Sequence, residues 1–142
     1  MEVEIAVSLD RSVQDMYALL STEESPLRVV KADNSSRFGP FYSLMHKGDN
    51  LNGNFYLGIP DSEIAADDRH VEAARVYSIN PLSELSYEMT YSEEKMRDMA
   101  EVLEYISGNG IPFFVEVSVD GNLGRFFGRG DTERLLQLVR DE

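Results

Sequence analysis

Residues 1–9, MEVEIAVSL, alternate along the chain: Met1, Val3, Ile5, Val7 and Leu9 fall on one face, Glu2 and Glu4 on the other. A period of two residues is that of a strand with one buried and one wet face. The period then changes. Val13, Met16, Tyr17 and Leu20 recur at i, i+3, i+4 and i+7, a single apolar helical stripe. Asp10 or Ser12 can cap it, with Asp15 completing a Ser-x-x-Asp box. STEESP ends it, because the residue before Pro26 is driven out of the helical region.

Short extended segments follow at LRVVKA (27–32), FYSLMH (41–46), NFYLGI (54–59), HVEAARVYSI (70–79) and LSYEMTY (85–91). DNSSRFGP, KGDNLNG and PDSEIAADD separate them with turn chemistry, and Pro81 punctuates the last two. Ser92 caps a helix over 93–107, with Glu93 and Glu94 in its dipole-favoured first turn and Met96, Met99, Ala100, Leu103 and Ile106 as its stripe. Gly108 suits its left-handed cap. PFFVEVSV predicts another strand and TERLLQLVRD a final helix. Runs of adjacent strands predict α+β architecture: one domain over 1–142, a mostly antiparallel (mixed) sheet of six or seven strands, and three helices mainly on one face.

Between the last strand and helix lies VDGNLGRFFGRGD (119–131), which admits two readings. In one, Arg125, Gly128, Arg129 and Gly130 hold an anion before a helix. In the other, Asp120-Gly121 makes the type I′ turn of a hairpin and Asp131 caps the helix. The hairpin accounts for more residues, since no Lys-Ser/Thr follows the glycines and Asp131 stands where a phosphate would sit.

Charge narrows the function classes. The net charge is −13, split as −6 over residues 1–70 and −7 over 71–142, with three lysines and no basic cluster. Nucleic acids and anionic membranes are therefore not expected partners. Docking on a basic partner, or acting as an acidic decoy for a nucleic-acid-binding protein, would require the acids to share a face. Apolar runs are short, and the first residues carry acids where a signal peptide has bases, so a soluble cytoplasmic protein is expected. The absence of cysteine removes disulfides, thiolate metal sites and cysteine nucleophiles. No cofactor is expected.

Candidate chemistry is sparse. His46, His70 and Glu72 could ligate a metal if their segments lay together. Tyr42, Tyr56, Arg75, Tyr77, Tyr87 and Glu88 could line a ligand pocket, with Arg75 and Tyr77 on one strand face; the competing reading places the tyrosines in the core. No G-x-S-x-G elbow occurs. MEVEIAVSLDRSVQDMYALLS followed by ARVYSINPLSELSYEMT resembles the opening and middle of START/Bet v 1-type helix-grip domains. That resemblance implies a ligand cavity between a curved sheet and a long C-terminal helix. The chain departs from it in placing the 93–107 helix before two further strands and in ending on a short helix. The sequence favours a non-catalytic interaction module, binding a protein partner or itself through a strand edge or a Phe113/Phe114/Phe126/Phe127 surface. The alternative is a small-ligand binder or enzyme using the Tyr/Arg/His set.

Overall fold

A computed structural model describes residues 1–33, 39–48 and 55–141. Its frame is one seven-stranded sheet in the order β2-β3-β4-β5-β1-β6-β7, with every neighbouring pair antiparallel. The strands are β1 (Glu2–Leu9), β2 (Leu27–Asp33), β3 (Phe41–His46), β4 (Phe55–Gly58), β5 (Ser83–Thr90), β6 (Phe113–Val119) and β7 (Arg125–Gly128). The N-terminal strand is central because it is paired on both sides, by β5 and β6. The turns expected at DNSSRFGP and KGDNLNG lie largely outside the described residues.

The helical segments are α1 (Val13–Leu20), a single turn α2 (Ser62–Ala65), α3 (Asp68–Val76), α4 (Glu93–Gly108) and α5 (Thr132–Asp141). Ser12 and Ser92 cap α1 and α4 as expected, accepting from the amides of Asp15 and Lys95. The left-handed residue after α4 is Gly110 (φ +77°), not Gly108, which remains in the helix.

The strand expected over 70–79 is instead α3. His70, Ala73, Ala74 and Tyr77 recur at helical spacing, Asp67 accepts the Arg69 amide as an N-cap, and two alanines favour helix. The expected count of three helices is corrected with it.

Alternation along the strands sends residues to two unlike faces. On the first, Val3, Ile5, Val7 and Leu9 join Leu85, Tyr87, Val115 and Val117 under Met16, Leu20, Met99, Leu103, Ile106 and Leu135 of α1, α4 and α5. The side chains of this face pack directly against those of the three helices. The second face carries a small core of Phe114, Ala73 and Ile79, packed by Tyr77 and Phe126, beneath α3 alone. The helices thus divide between both faces, three against one.

The β6–β7 connection is the expected hairpin. Asp120 and Gly121 both take positive φ (51° and 74°), and the Asn122 amide donates to Val119 O at 3.0 Å, closing a type I′ turn. The phenylalanine surface expected as a docking site does not form: Phe113, Phe114 and Phe127 are buried. Among the described residues, no helix is long and apolar enough to cross a membrane.

Candidate functional site

The second face is only partly covered. Short α3 shields the end of the sheet around Ser8 and Phe114, and the remainder is the floor of a groove of about 800 Å³. Its floor is the polar phase of three adjacent strands: Glu84, Ser86 and Glu88 from β5, Glu4 and Ala6 from β1, Glu116 and Ser118 from β6. Registers place Glu4 opposite Glu88 and Ser118, and Ala6 opposite Ser86 and Glu116. One wall is the segment from Ile59 to Glu63, joined by His70 of α3.

The other wall is aromatic. Phe41 and Tyr56 stack with centroids 5.7 Å apart and remain 40% and 36% exposed. Gly58 permits this, because a Cβ there would meet the Phe41 ring at 3.1 Å. Exposed aromatic rings beside carboxylates are the elements of an organic-cation site.

Burial pushes the Glu84 carboxyl above the usual carboxylate range. The nearby charges of Asp61 and Glu116 push the same way, and the Asp61 backbone amide, donating to it, partly opposes them. A folded-state pKa raised in this way means the ionised carboxylate is penalised by the fold. The penalty is full above the folded pKa and vanishes as pH falls through that value toward the unfolded one. Glu84→Gln is therefore expected to be more stable than the parent at neutral pH, with the advantage shrinking on acidification. Urea titrations across a pH series would measure it, and an advantage that grew in acid would contradict burial as the cause.

His70 is 7% exposed, and burial holds its pKa below the ordinary histidine value against the opposing charges of Glu116 and Asp67. Its Nε2 lies 3.1 Å from Ser8 Oγ. Ser8 is buried and is not on the groove wall, so this contact pins α3 to the sheet rather than presenting a nucleophile. Arg69 stands at the rim, where it donates to Gly124 O, approaches Glu116 at 3.9 Å and lies over the Phe126 ring.

The residues expected at sites from sequence are dispersed. Tyr56 and Glu88 face the groove. Tyr42 stacks on Tyr17 and Tyr87 on Phe55, both within the main core. Tyr77 packs on Phe114. Arg75 is exposed on α3 and forks onto Glu72 one turn away, so the expected strand face joining Arg75 to Tyr77 does not exist.

The proposed metal trio is not assembled. His70 sits on α3 and turns to Ser8, Glu72 is engaged by Arg75, and His46 meets α4 on the first face. There His46, Asp98 and Glu101 bring ligand atoms within 4.8 Å of one another. However, the Gly48 amide donates to His46 Nδ1 at 3.1 Å, which leaves the ring proton on Nε2 to donate to Glu101 at 3.0 Å. The nitrogen a metal would take is the protonated one.

The anion reading of the glycine stretch finds two of its donors, Gly128 and Arg129, occupied. The Gly128 amide donates to Asp131 Oδ2 at 3.1 Å, and the Asp131 carbonyl accepts from the Leu135 amide at the start of α5. Arg129 donates to Ser107 Oγ and O at 2.9 and 2.7 Å. Gly128 also lies against Tyr77, where a Cβ would stand 2.8 Å from the ring, which explains one glycine by packing. Gly130 has open space around it, and Arg125 opens β7 opposite Val117.

Sequence reasoning missed Glu4, Glu84, Glu116, Asp61, Phe41 and Ile59. The available signal was the polar phase of β1, β5 and β6, but it becomes one surface only through their adjacency. Comparison with protein-family models, curated proteins and solved structures finds no match to this chain.

Proposed function

We propose that this chain is a binding protein whose second sheet face receives a positively charged organic ligand. One observation carries the reading: Glu4, Glu84, Glu88 and Glu116 project from three adjacent strands into a groove walled by the stacked Phe41–Tyr56 pair. Carboxylates supply charge attraction, and aromatic faces add a cation–π contribution of about 0.5–1 kcal/mol at exposed sites. Among the described residues, the one cluster with metal-ligand spacing is at His46, on the other face. The groove acids are spread, which suits an extended organic cation better than a single metal ion.

Less supports self-association. The edge strand β2 carries a register shift between Val29 and Lys31 and the charges of Arg28, Lys31 and Asp33, devices that discourage edge pairing. The buried phenylalanines remove the other expected anchor.

Amide NMR titration with small organic cations tests the proposal. Shifts should saturate and cluster on β1, β4, β5 and the Ile59–His70 segment. A Glu84→Gln/Glu116→Gln double variant should bind about tenfold more weakly. Shifts spread equally over the acids of α4, or no response to any cation, would remove the proposal.

A further inference from the structure

We infer that the ligand of this groove is a linear aliphatic polyamine, lying extended along β5 with a cationic nitrogen at each acidic end and its methylenes against Tyr56 and Ala6. This rests on the cation-binding reading above and specifies its ligand class.

The spacing of charge along the floor supports it. β5 presents Glu84, Ser86 and Glu88 in succession: acid, neutral, acid. At a rise of about 3.4 Å per residue the two acidic positions stand about 14 Å apart along the strand. β1 adds an acid at one end only, and β6 brings Glu116 level with Ala6 and Ser86. Glu4 lies opposite Glu88 at one end and Gly58 opposite Glu84 at the other, while Ala6 and Tyr56 flank Ser86 between them. Along β5 itself negative charge thus sits at both ends of a neutral residue flanked by Ala6 and Tyr56, with Glu116 beyond Ala6. A molecule with positive nitrogens joined by methylenes matches both parts; a lone ammonium or guanidinium uses one end.

The Glu4–Glu88 end lacks a counter-charge among the described residues. Glu4 and Glu88 are directly opposed across β1 and β5, where like charges repel, and neither has an ion-pair partner among the described residues. At the other end Glu84 gathers with Asp61 and Glu116. There His70, more than nine-tenths buried, lines the groove with Nε2 bonded to Ser8 and Nδ1 without a partner among the described residues. In the tautomer whose Nε2–H donates to Ser8 Oγ, Nδ1 is an acceptor, suited to an ammonium N–H. Asp67 and Glu116 act on the same ring, and Arg69, next to it on α3, is turned away to Gly124 O and Glu116. Length then selects among amines: a triamine such as spermidine approaches both ends, whereas the shorter diamine putrescine reaches one.

The test is calorimetric titration of the full chain with spermidine, putrescine, tetramethylammonium and a lysine-rich peptide. Physiological ionic strength suppresses the diffuse attraction of a chain with net charge −13. Spermidine should fill one site and bind about tenfold more tightly than putrescine. A Glu4→Gln/Glu88→Gln double variant should lose most of that advantage while leaving putrescine affinity nearly unchanged. A Glu23→Gln/Glu24→Gln control, altered on the exposed segment after α1, should behave as the parent. Circular dichroism melts would confirm that each variant is folded. Equal affinities for spermidine and putrescine, or no effect of the Glu4/Glu88 change, would overturn the polyamine assignment while cation binding stood. A lysine-rich peptide binding more tightly than spermidine would overturn it in favour of a protein segment. No binding of any cation would remove both readings.

Discussion

Phe114→Ala is expected to lower the unfolding free energy by about 3–5 kcal/mol, a large part of the roughly 5–15 kcal/mol available to a domain of this kind. Phe114 is 0% exposed and is the largest side chain of the second core. Its ring packs against His70, Tyr77 and Phe126, with centroids 5.1, 5.9 and 6.0 Å away. Truncation leaves a cavity under α3, the helix that carries His70 into the groove wall, so ligand affinity should fall together with stability. Urea denaturation measures the first effect and calorimetry the second. A loss below about 1 kcal/mol, typical of surface positions, would mean that α3 is not anchored as described.

Leu103→Ala is expected to be destabilising by about 2–5 kcal/mol while leaving groove affinity unchanged in the fraction that remains folded. Leu103 is fully buried where α4 meets the sheet, in the main core shared with α1 and α5. The sheet lies between it and the groove, and no residue of α4 lines the groove. The pair of substitutions therefore separates the two faces: both weaken the fold, and one also weakens the site. An equal loss of affinity in both variants would show that the site responds to general stability and not to the placement of α3.

Much of the fold was legible from periodicity. The alternation of residues 1–9, the stripes of α1 and α4 and the Asp120-Gly121 turn each reflect a local preference that packing reinforces. The helix at 68–76 was not recovered, because Val71, Ala73 and Arg75 can be read at period two while His70, Ala73, Ala74 and Tyr77 follow the helical period. In so short a segment both patterns exist, and the docking of Ala73 and Ile79 beside Phe114 decides between them.

The site was harder to see. Tyrosines drew attention as pocket residues, yet Tyr42 and Tyr87 belong to the core. The acids that line the groove looked like dispersed solubilising charge, and an even split of −6 and −7 between the two parts of the chain strengthened that impression.

The sequence by itself determined which residues of β1, β5 and β6 lie on the polar side of each strand, because side chains alternate strictly along an extended backbone. It also determined the acidic balance and the class of architecture. Tertiary structure alone decided that Glu4, Glu84, Glu88 and Glu116 form one surface. Residues as far apart as Glu2 and Asp120, whose amide–carboxylate bond spans 118 positions, meet only when the N-terminal strand inserts between two later ones. That insertion is set by burial of the opposite, apolar face, so the acidic floor follows from packing on its other side.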